Sequence, residues 1–253
     1  MAALVCAAPL GAQDRAESAA DTIRVLAYNI HHGEGMDSVL DLERIGALIR
    51  RVDPDLVALQ EVDSVVDRTR HGDQAAELSA LTGLDFRFGS FMPYQGGAYG
   101  MAVLSRLPIV STTNVRLPDG AEPRAALAVT VELPRSGAPL TFVGIHFYRT
   151  EAERMAQAEG VNAFLAEHAG PAVLAGDFNS VPGPGVMDYL SSRWSLIDKG
   201  EDAATFPSWA PEREIDFVLV RPANRFEVVS ESLLDEPVVS DHRPVVVDLV
   251  IRN

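Results

Sequence analysis

Pro171-Ala-Val-Leu-Ala-Gly-Asp-Phe-Asn179 is a short apolar run that stops on a carboxylate and an amide. Near the other end of the chain, Ser240-Asp241-His242 stands just before Val245-Val-Val-Asp-Leu-Val-Ile251. Runs of this length and composition read as buried strands. A carboxylate at a strand end sits at the rim of a sheet, where its solvation can be controlled, and that suits metal-assisted hydrolysis. Other strand-like runs carry the same signature: Ile23–Tyr28 ends in Asn29, Leu56–Leu59 in Gln60-Glu61, and Leu140–Ile145 in His146. Ile215–Val220 holds Asp216 inside an otherwise apolar run. A buried Asp needs a partner, because an unpaired buried charge is costly, and His242 is a candidate. Given a suitable strand order, Asn29, Glu61, His146, Asp177, Asn179, Asp216, Asp241 and His242 meet at one rim.

Between the strand-like runs the periodicity turns helical. Leu42, Ile45, Leu48, Ile49 and Val52 recur at helical spacing, and Asp53-Pro54 stops them. Helices are also expected from Gln74 to Thr82, ending at Gly83, and from Glu151 to His168, ending before Gly170-Pro171. Tyr99–Leu104 and Ala125–Leu133 read as strands, and Asp119-Gly120 and Ser136-Gly137 as turns, so the middle of the chain is expected to form antiparallel hairpins. Parallel-type units early and hairpins later imply mixed sheets covered by helices.

The chain has 253 residues, 47% of them hydrophobic, with no Pro/Gly/Ser linker, and the candidate residues span nearly its whole length. One domain is expected over residues 21–253. Residues 1–20 read either as a signal-peptide remnant or as a disordered Ala-rich leader. Met1 to Ala12 is uncharged and too short to span a bilayer, Leu10-Gly11-Ala12 resembles a cleavage site, and no basic n-region precedes it. The first reading makes the protein secreted or periplasmic and the second leaves it cytoplasmic. Cys6 is the only cysteine, so disulfides and thiolate metal sites are excluded from a chain starting near Gln13. With 21 Lys+Arg against 36 Asp+Glu the formal net charge is −15, a field that repels a long polyanion. Nucleic acid is thereby disfavoured, and a small phosphoester, or a substrate met through a divalent cation, fits better. A monomer without a transmembrane segment is expected.

Taken in order, Tyr28-Asn29, Leu59-Gln60-Glu61-Val62, Tyr99-Gly100 with Leu104-Ser105-Arg106, Ile145-His146-Phe147, Gly176-Asp177-Phe178-Asn179, Ile215-Asp216-Phe217 and Ser240-Asp241-His242 resemble the endonuclease/exonuclease/phosphatase superfamily. Each motif alone is weak; the ordered set, covering about Ile23 to Ile251, is specific. The resemblance implies an α/β fold, a four-layer sandwich of two mixed sheets face to face with helices outside. It also implies phosphoester hydrolysis with Mg²⁺ or Mn²⁺. It does not identify the substrate, because relatives include deoxyribonucleases, neutral sphingomyelinases and inositol-polyphosphate phosphatases. On this reading Glu61 is the main metal ligand, Asn29 a neutral ligand or an orienter of Glu61, and Asp241 completes the anionic cluster. Asp177 holds or deprotonates the attacking water, Asn179 donates to a phosphoryl oxygen, and His146 contacts the phosphate. His242, oriented by Asp216, acts as base or as cationic stabiliser. An endonuclease, and a silent binding module on the same fold, are the competing readings.

Further positions are weighed against ordinary structural roles. Arg68, in a polar loop after Glu61, and Arg124, just before a strand, either clamp an anionic group or form surface ion pairs. Tyr99 lines a cleft or fills the core. His31 stands where the nuclease branch of the resembled family carries an Asp, and His31-His32 either contacts metal or phosphate or leaves His32 facing solvent. Asp53 and Asp55 read as turn and capping residues, His71 as solvated, and His168 as a complement to a helix dipole.

Overall fold

The computed structural model describes residues 20–252. The leader expectation, with Cys6, therefore lies outside the described residues, save for residue 20. Twelve strands form two sheets of six. The first contains β1 (Asp21–Asn29), β2 (Leu56–Ser64), β3 (Asp85–Tyr94), β4 (Gly97–Ser105), β11 (Phe226–Leu233) and β12 (Val245–Ile251), in the order β11-β12-β1-β2-β4-β3. The second contains β5 (Ile109–Arg116), β6 (Ala125–Glu132), β7 (Pro139–His146), β8 (Ala172–Asp177), β9 (Ser195–Leu196) and β10 (Asp216–Arg221), in the order β5-β6-β7-β8-β10-β9. Each sheet has one parallel pair at its centre, β1 with β2 and β7 with β8, and antiparallel neighbours around it.

Each parallel pair needs a crossover, and a helix supplies it. Helix α1 (Leu42–Val52) links β1 to β2, and α3 (Glu151–Ala166) links β7 to β8. The start of α1 is capped by Asp41, whose side chain accepts from the Arg44 N–H. It ends on Asp53 in the left-handed region, before Pro54. Helix α2 (Gln74–Thr82) is capped in the same way by Asp73 and stops on Gly83. A short α4 (Val186–Ser191) was not anticipated. Helix α3 ends two residues before the expected His168, which lies exposed with Nδ1 2.9 Å from the Phe164 carbonyl oxygen.

Strand periodicity distributes the core. Ile23, Val25 and Ala27 of β1 face Phe142, Val173 and Ala175 of the other sheet, whereas Leu26 and Tyr28 turn toward Ile45, Leu48 and Ile49 of α1. In the second sheet Val143, Ile145 and Leu174 face Ala158, Val161 and Leu165 of α3. Three apolar clusters thus separate four layers, helix–sheet–sheet–helix, the sandwich expected of the chain. No helix among the described residues is long and apolar enough to cross a membrane.

Candidate active site

Register brings the strand-end residues to one rim. Asn29 pairs with Gln60 across β1 and β2, His146 with Asp177 across β7 and β8, and Asp216 with Asp177 across β10 and β8. A bulge between Gln60 and Val62 interrupts the β2–β4 pairing, and Glu61 sits in it at φ +58°. Bulges re-aim side chains, and this one turns Glu61 from the sheet face into the rim. Gly176, at φ +141°, is required for two reasons: its backbone region disfavours a side chain, and a Cβ would lie 2.1 Å from the Ile145 carbonyl oxygen. Close approach of β8 to β7 is what places Asp177 beside His146.

Asp177 is the hub. Its Oδ1 accepts from the Asn179 backbone N–H at 2.8 Å. Its Oδ2 accepts from Asn29 Nδ2 at 3.2 Å and lies 3.4 Å from His146 Nε2 and 3.8 Å from His242 Nε2. His242 Nδ1 is 2.8 Å from Asp216 Oδ2, the partner that the buried Asp needed. Burial and the Asp216 carboxylate push the Asp177 carboxyl up to about 7, against the opposing influence of His242, Asn179 and Asn29. For His242, burial works against the imidazolium, but the charge and hydrogen bond of Asp216, joined by Asp177 and Asp241, outweigh it and raise the ring to about 10. His146 is the opposite case. Burial, then the cations Arg124, His242 and Arg149, push it well below the ordinary histidine range, so it is neutral.

Glu61 and Asp241 form the other half of the rim. The Glu61 carboxylate takes one hydrogen bond, from Asn29 Nδ2 at 3.3 Å, and Asp241 takes one from Ser240 Oγ at 3.3 Å. Neither has a cationic partner within 4.0 Å among the described residues. Glu61 and Asp241 offer hard oxygen donors of the kind Mg²⁺ or Mn²⁺ takes, while the groups whose ligand atoms already lie within 4.8 Å of one another among the described residues are Asp177, Asp216 and His242 and, separately, His31, His32 and Glu61. Asn29 bridges Glu61 and Asp177 with its amide nitrogen, while its Oδ1 accepts from the His31 N–H at 3.1 Å. In this arrangement Asn29 orients the carboxylates. Asn179 is likewise occupied, its Nδ2 donating to the Phe147 carbonyl at 2.9 Å and to Asp177 Oδ2 at 3.4 Å, so it braces the carboxylate expected to hold water.

These groups form the floor of a cleft of about 730 Å³ whose lining includes Glu61, Asp177, Asn179, Asp241 and His242. Arg68, Tyr99 and Arg124 line it too. Their surroundings correct the idea of surface ion pairs. Arg68 makes a two-pronged bond to the buried Asp63 at 2.7 and 2.8 Å and packs over Tyr94 and Tyr99. Arg124 is 5% exposed, pairs with Glu122 and packs against Phe91, Tyr99 and Tyr148. His31 does not line the cleft; it stands behind Glu61. His32 is not solvated either. Its ring is largely covered, and burial, then Arg68 and His31, push it down to about 4. One ring nitrogen from each His and a Glu61 oxygen lie within 4.8 Å of one another. Sequence reasoning passed over Arg149, Arg154, Phe206 and Arg213, which also line the cleft. One signal for them was available: Arg154 is a cation near the start of a helix, where the dipole disfavours it.

The family and the fold are also seen in known proteins. Residues 26–242 match the model of a family described as Endonuclease/Exonuclease/phosphatase family. The chain is 30% identical over 244 residues to the uncharacterized protein YbhP of Escherichia coli K12, covering 88% of this chain and 94% of that protein. A crystal structure of an endonuclease/exonuclease/phosphatase from Beutenbergia cavernae DSM 12333 superposes with a TM-score of 0.71 at 27% identity, covering 92% of this chain and 72% of that one. The fold is shared at 20% identity with a Bacteroides thetaiotaomicron mannosyl-6-phosphatase, with a TM-score of 0.73 over 90% of this chain and 100% of that one.

Proposed function

The chain belongs to the endonuclease/exonuclease/phosphatase family, whose members are generally hydrolases, and from that membership and its rim we propose that it is a divalent-metal-dependent phosphoester hydrolase. Its substrate on this reading is small or lipid-borne, in keeping with the net charge of −15. The observation that carries the proposal is the buried Asp177–His242–Asp216 constellation beside two carboxylates that have no counter-ion.

Glu61 and Asp241 would hold the cation, with Asn29 orienting Glu61. Bound there, Mg²⁺ or Mn²⁺ would polarise the ester and offset charge gathering on the phosphoryl oxygens. Asp177, fixed by Asn179 and Asn29, takes the proton of the attacking water. As the new O–P bond forms, the P–O bond to the leaving group breaks in line; the departing oxygen leaves with the bonding pair and takes a proton from solvent, and Asp177 returns its proton to solvent afterwards. His242, kept cationic by Asp216 at 2.8 Å, supplies positive charge where the transition state accumulates negative charge. His146, neutral and 3.4 Å from Asp177, positions that carboxylate and can hydrogen-bond the phosphate.

The test is turnover of p-nitrophenyl phosphate and bis-p-nitrophenyl phosphate with Mg²⁺ or Mn²⁺, with EDTA as control. Loss of turnover in EDTA, and a fall of about 10² or more in Asp177→Asn and His242→Ala with the circular dichroism unchanged, supports the reading. Full activity in both variants sinks it.

A further inference from the structure

Five of the chain's 21 basic residues, Arg68, Arg124, Arg149, Arg154 and Arg213, line one cleft of an otherwise acidic protein. Arg68 and Arg124 are already paired, with Asp63 and Glu122. The other three have no carboxylate partner within 4.0 Å among the described residues. Strand order gives them a definite placement. Arg149 and Arg154 belong to the connection that leaves β7 and enters α3, and Arg213 to the loop that enters β10. β7 and β10 are the two neighbours of β8, so the three guanidiniums flank its end, Asp177, from both sides.

Arg154 is half-buried, whereas Arg149 and Arg213 are exposed. Arg154 Nη1 donates to the Arg149 carbonyl, and its Nε is buried without a hydrogen-bond partner. The Nε of the deeply buried Arg124 is unpartnered as well. Arg213 packs over the Phe206 ring at 4.6 Å, and Phe206 in turn packs against His242 at 4.9 Å. A guanidinium in the first turns of α3 is opposed by the helix dipole, and an unpaired buried donor is costly, so Arg154 carries a cost in this place that its bond to the Arg149 carbonyl meets only in part. An anion would repay both. On the hydrolase reading the scissile phosphoryl group lies over Asp177 and His242, and three further arginines without a carboxylate partner among the described residues exceed what that one group needs.

We propose that the cleft binds a compact phosphoester carrying a second anionic group, a phosphate or a carboxylate, on its leaving group, and that Arg149, Arg154 and Arg213 recognise that second group. This rests on the hydrolase reading for the first group and adds the class of substrate. Guanidiniums suit such recognition because their planar forks match both oxyanions.

The experiment compares substrate pairs that differ by the second anion: p-nitrophenyl phosphate with 4-carboxyphenyl phosphate, and glucose 1-phosphate with glucose 1,6-bisphosphate. The ratio of kcat/KM within each pair is measured for the wild-type protein, for Arg149→Ala/Arg213→Ala, and for the corresponding double Lys variant. The expected result is a wild-type preference of about tenfold or more for the member bearing the second anionic group, cut by about tenfold in the Ala variant and partly restored by Lys. The pair that responds distinguishes carboxylate from phosphate. No preference in either pair, or an equal loss on both members, overturns the proposal. If no phosphoester turns over, the hydrolase reading fails, and calorimetry decides the subsite separately. With Mg²⁺ present, methylenebisphosphonate should bind about tenfold tighter than methylphosphonate in the wild type and lose that margin in Arg149→Ala/Arg213→Ala. Equal affinities would overturn the subsite.

Discussion

His242 Nδ1 lies 2.8 Å from Asp216 Oδ2, and its Nε2 faces Asp177 Oδ2 at 3.8 Å, so one buried imidazole spans two carboxylates from adjacent strands. One carboxylate fixes the ring and its charge; the other shares the reaction space. Asp216→Asn should therefore remove orientation without emptying the site. Turnover should fall by about 10² with KM little changed, and the His242 ring, followed by NMR, should titrate at lower pH. An unchanged titration would show that Asp216 does not govern the ring.

Asp177 bears a cost that its proposed role would require. A carboxyl whose folded pKa, about 7, lies above its unfolded value favours the fold while protonated and opposes it once ionised. The stability from this group is present below about pH 4 and lost as pH rises through about 7. In EDTA, Asp177→Asn should melt a few degrees higher than wild type at pH 8, with the difference shrinking toward pH 4, even as activity disappears. A lower melting temperature at pH 8 would contradict this.

Most of the rim was readable because each strand ends on a polar residue, and a period of two already says which side chains face which layer. Asp216 stood out because it interrupts an apolar run. The edge strands were harder. β5 reads Ile-Val-Ser-Thr-Thr-Asn-Val-Arg and β11 Phe-Glu-Val-Val-Ser-Glu-Ser-Leu, largely exposed runs with little apolar alternation, and neither was anticipated. Nor was the bulge that aims Glu61, since one extra residue in a ladder leaves no mark on composition. Arg149 and Arg213 were missed because loop residues reach the cleft through strand order, which local pattern does not encode, whereas Arg154 in α3 did carry a local signal.

Arg68 was read as either a substrate clamp or a surface ion pair, and its partner Asp63 has no exposed side-chain surface. Removing the guanidinium leaves a buried charge unpaired. Arg68→Ala should cost about 3 kcal/mol in urea unfolding, and Asp63→Leu with Arg68→Met should recover most of it. A loss below about 0.5 kcal/mol would place the pair among ordinary surface bridges.

Glu61 is the carboxylate aimed by the bulge, with Asn29 as its one hydrogen-bond partner. Glu61→Gln should weaken Mg²⁺ or Mn²⁺ binding by about tenfold or more in calorimetry, with the fold intact. Equal affinity would move the cation elsewhere.

The central claim is that water bound at Asp177 attacks phosphorus. It is tested most directly by hydrolysing bis-p-nitrophenyl phosphate in ¹⁸O-labelled water with Mn²⁺ and reading the product by mass spectrometry. The expected result is one ¹⁸O in the p-nitrophenyl phosphate product and none in p-nitrophenol, with labelled product from Asp177→Asn cut by about 10² or more. Label in the phenol, or undiminished incorporation by the variant, would contradict it.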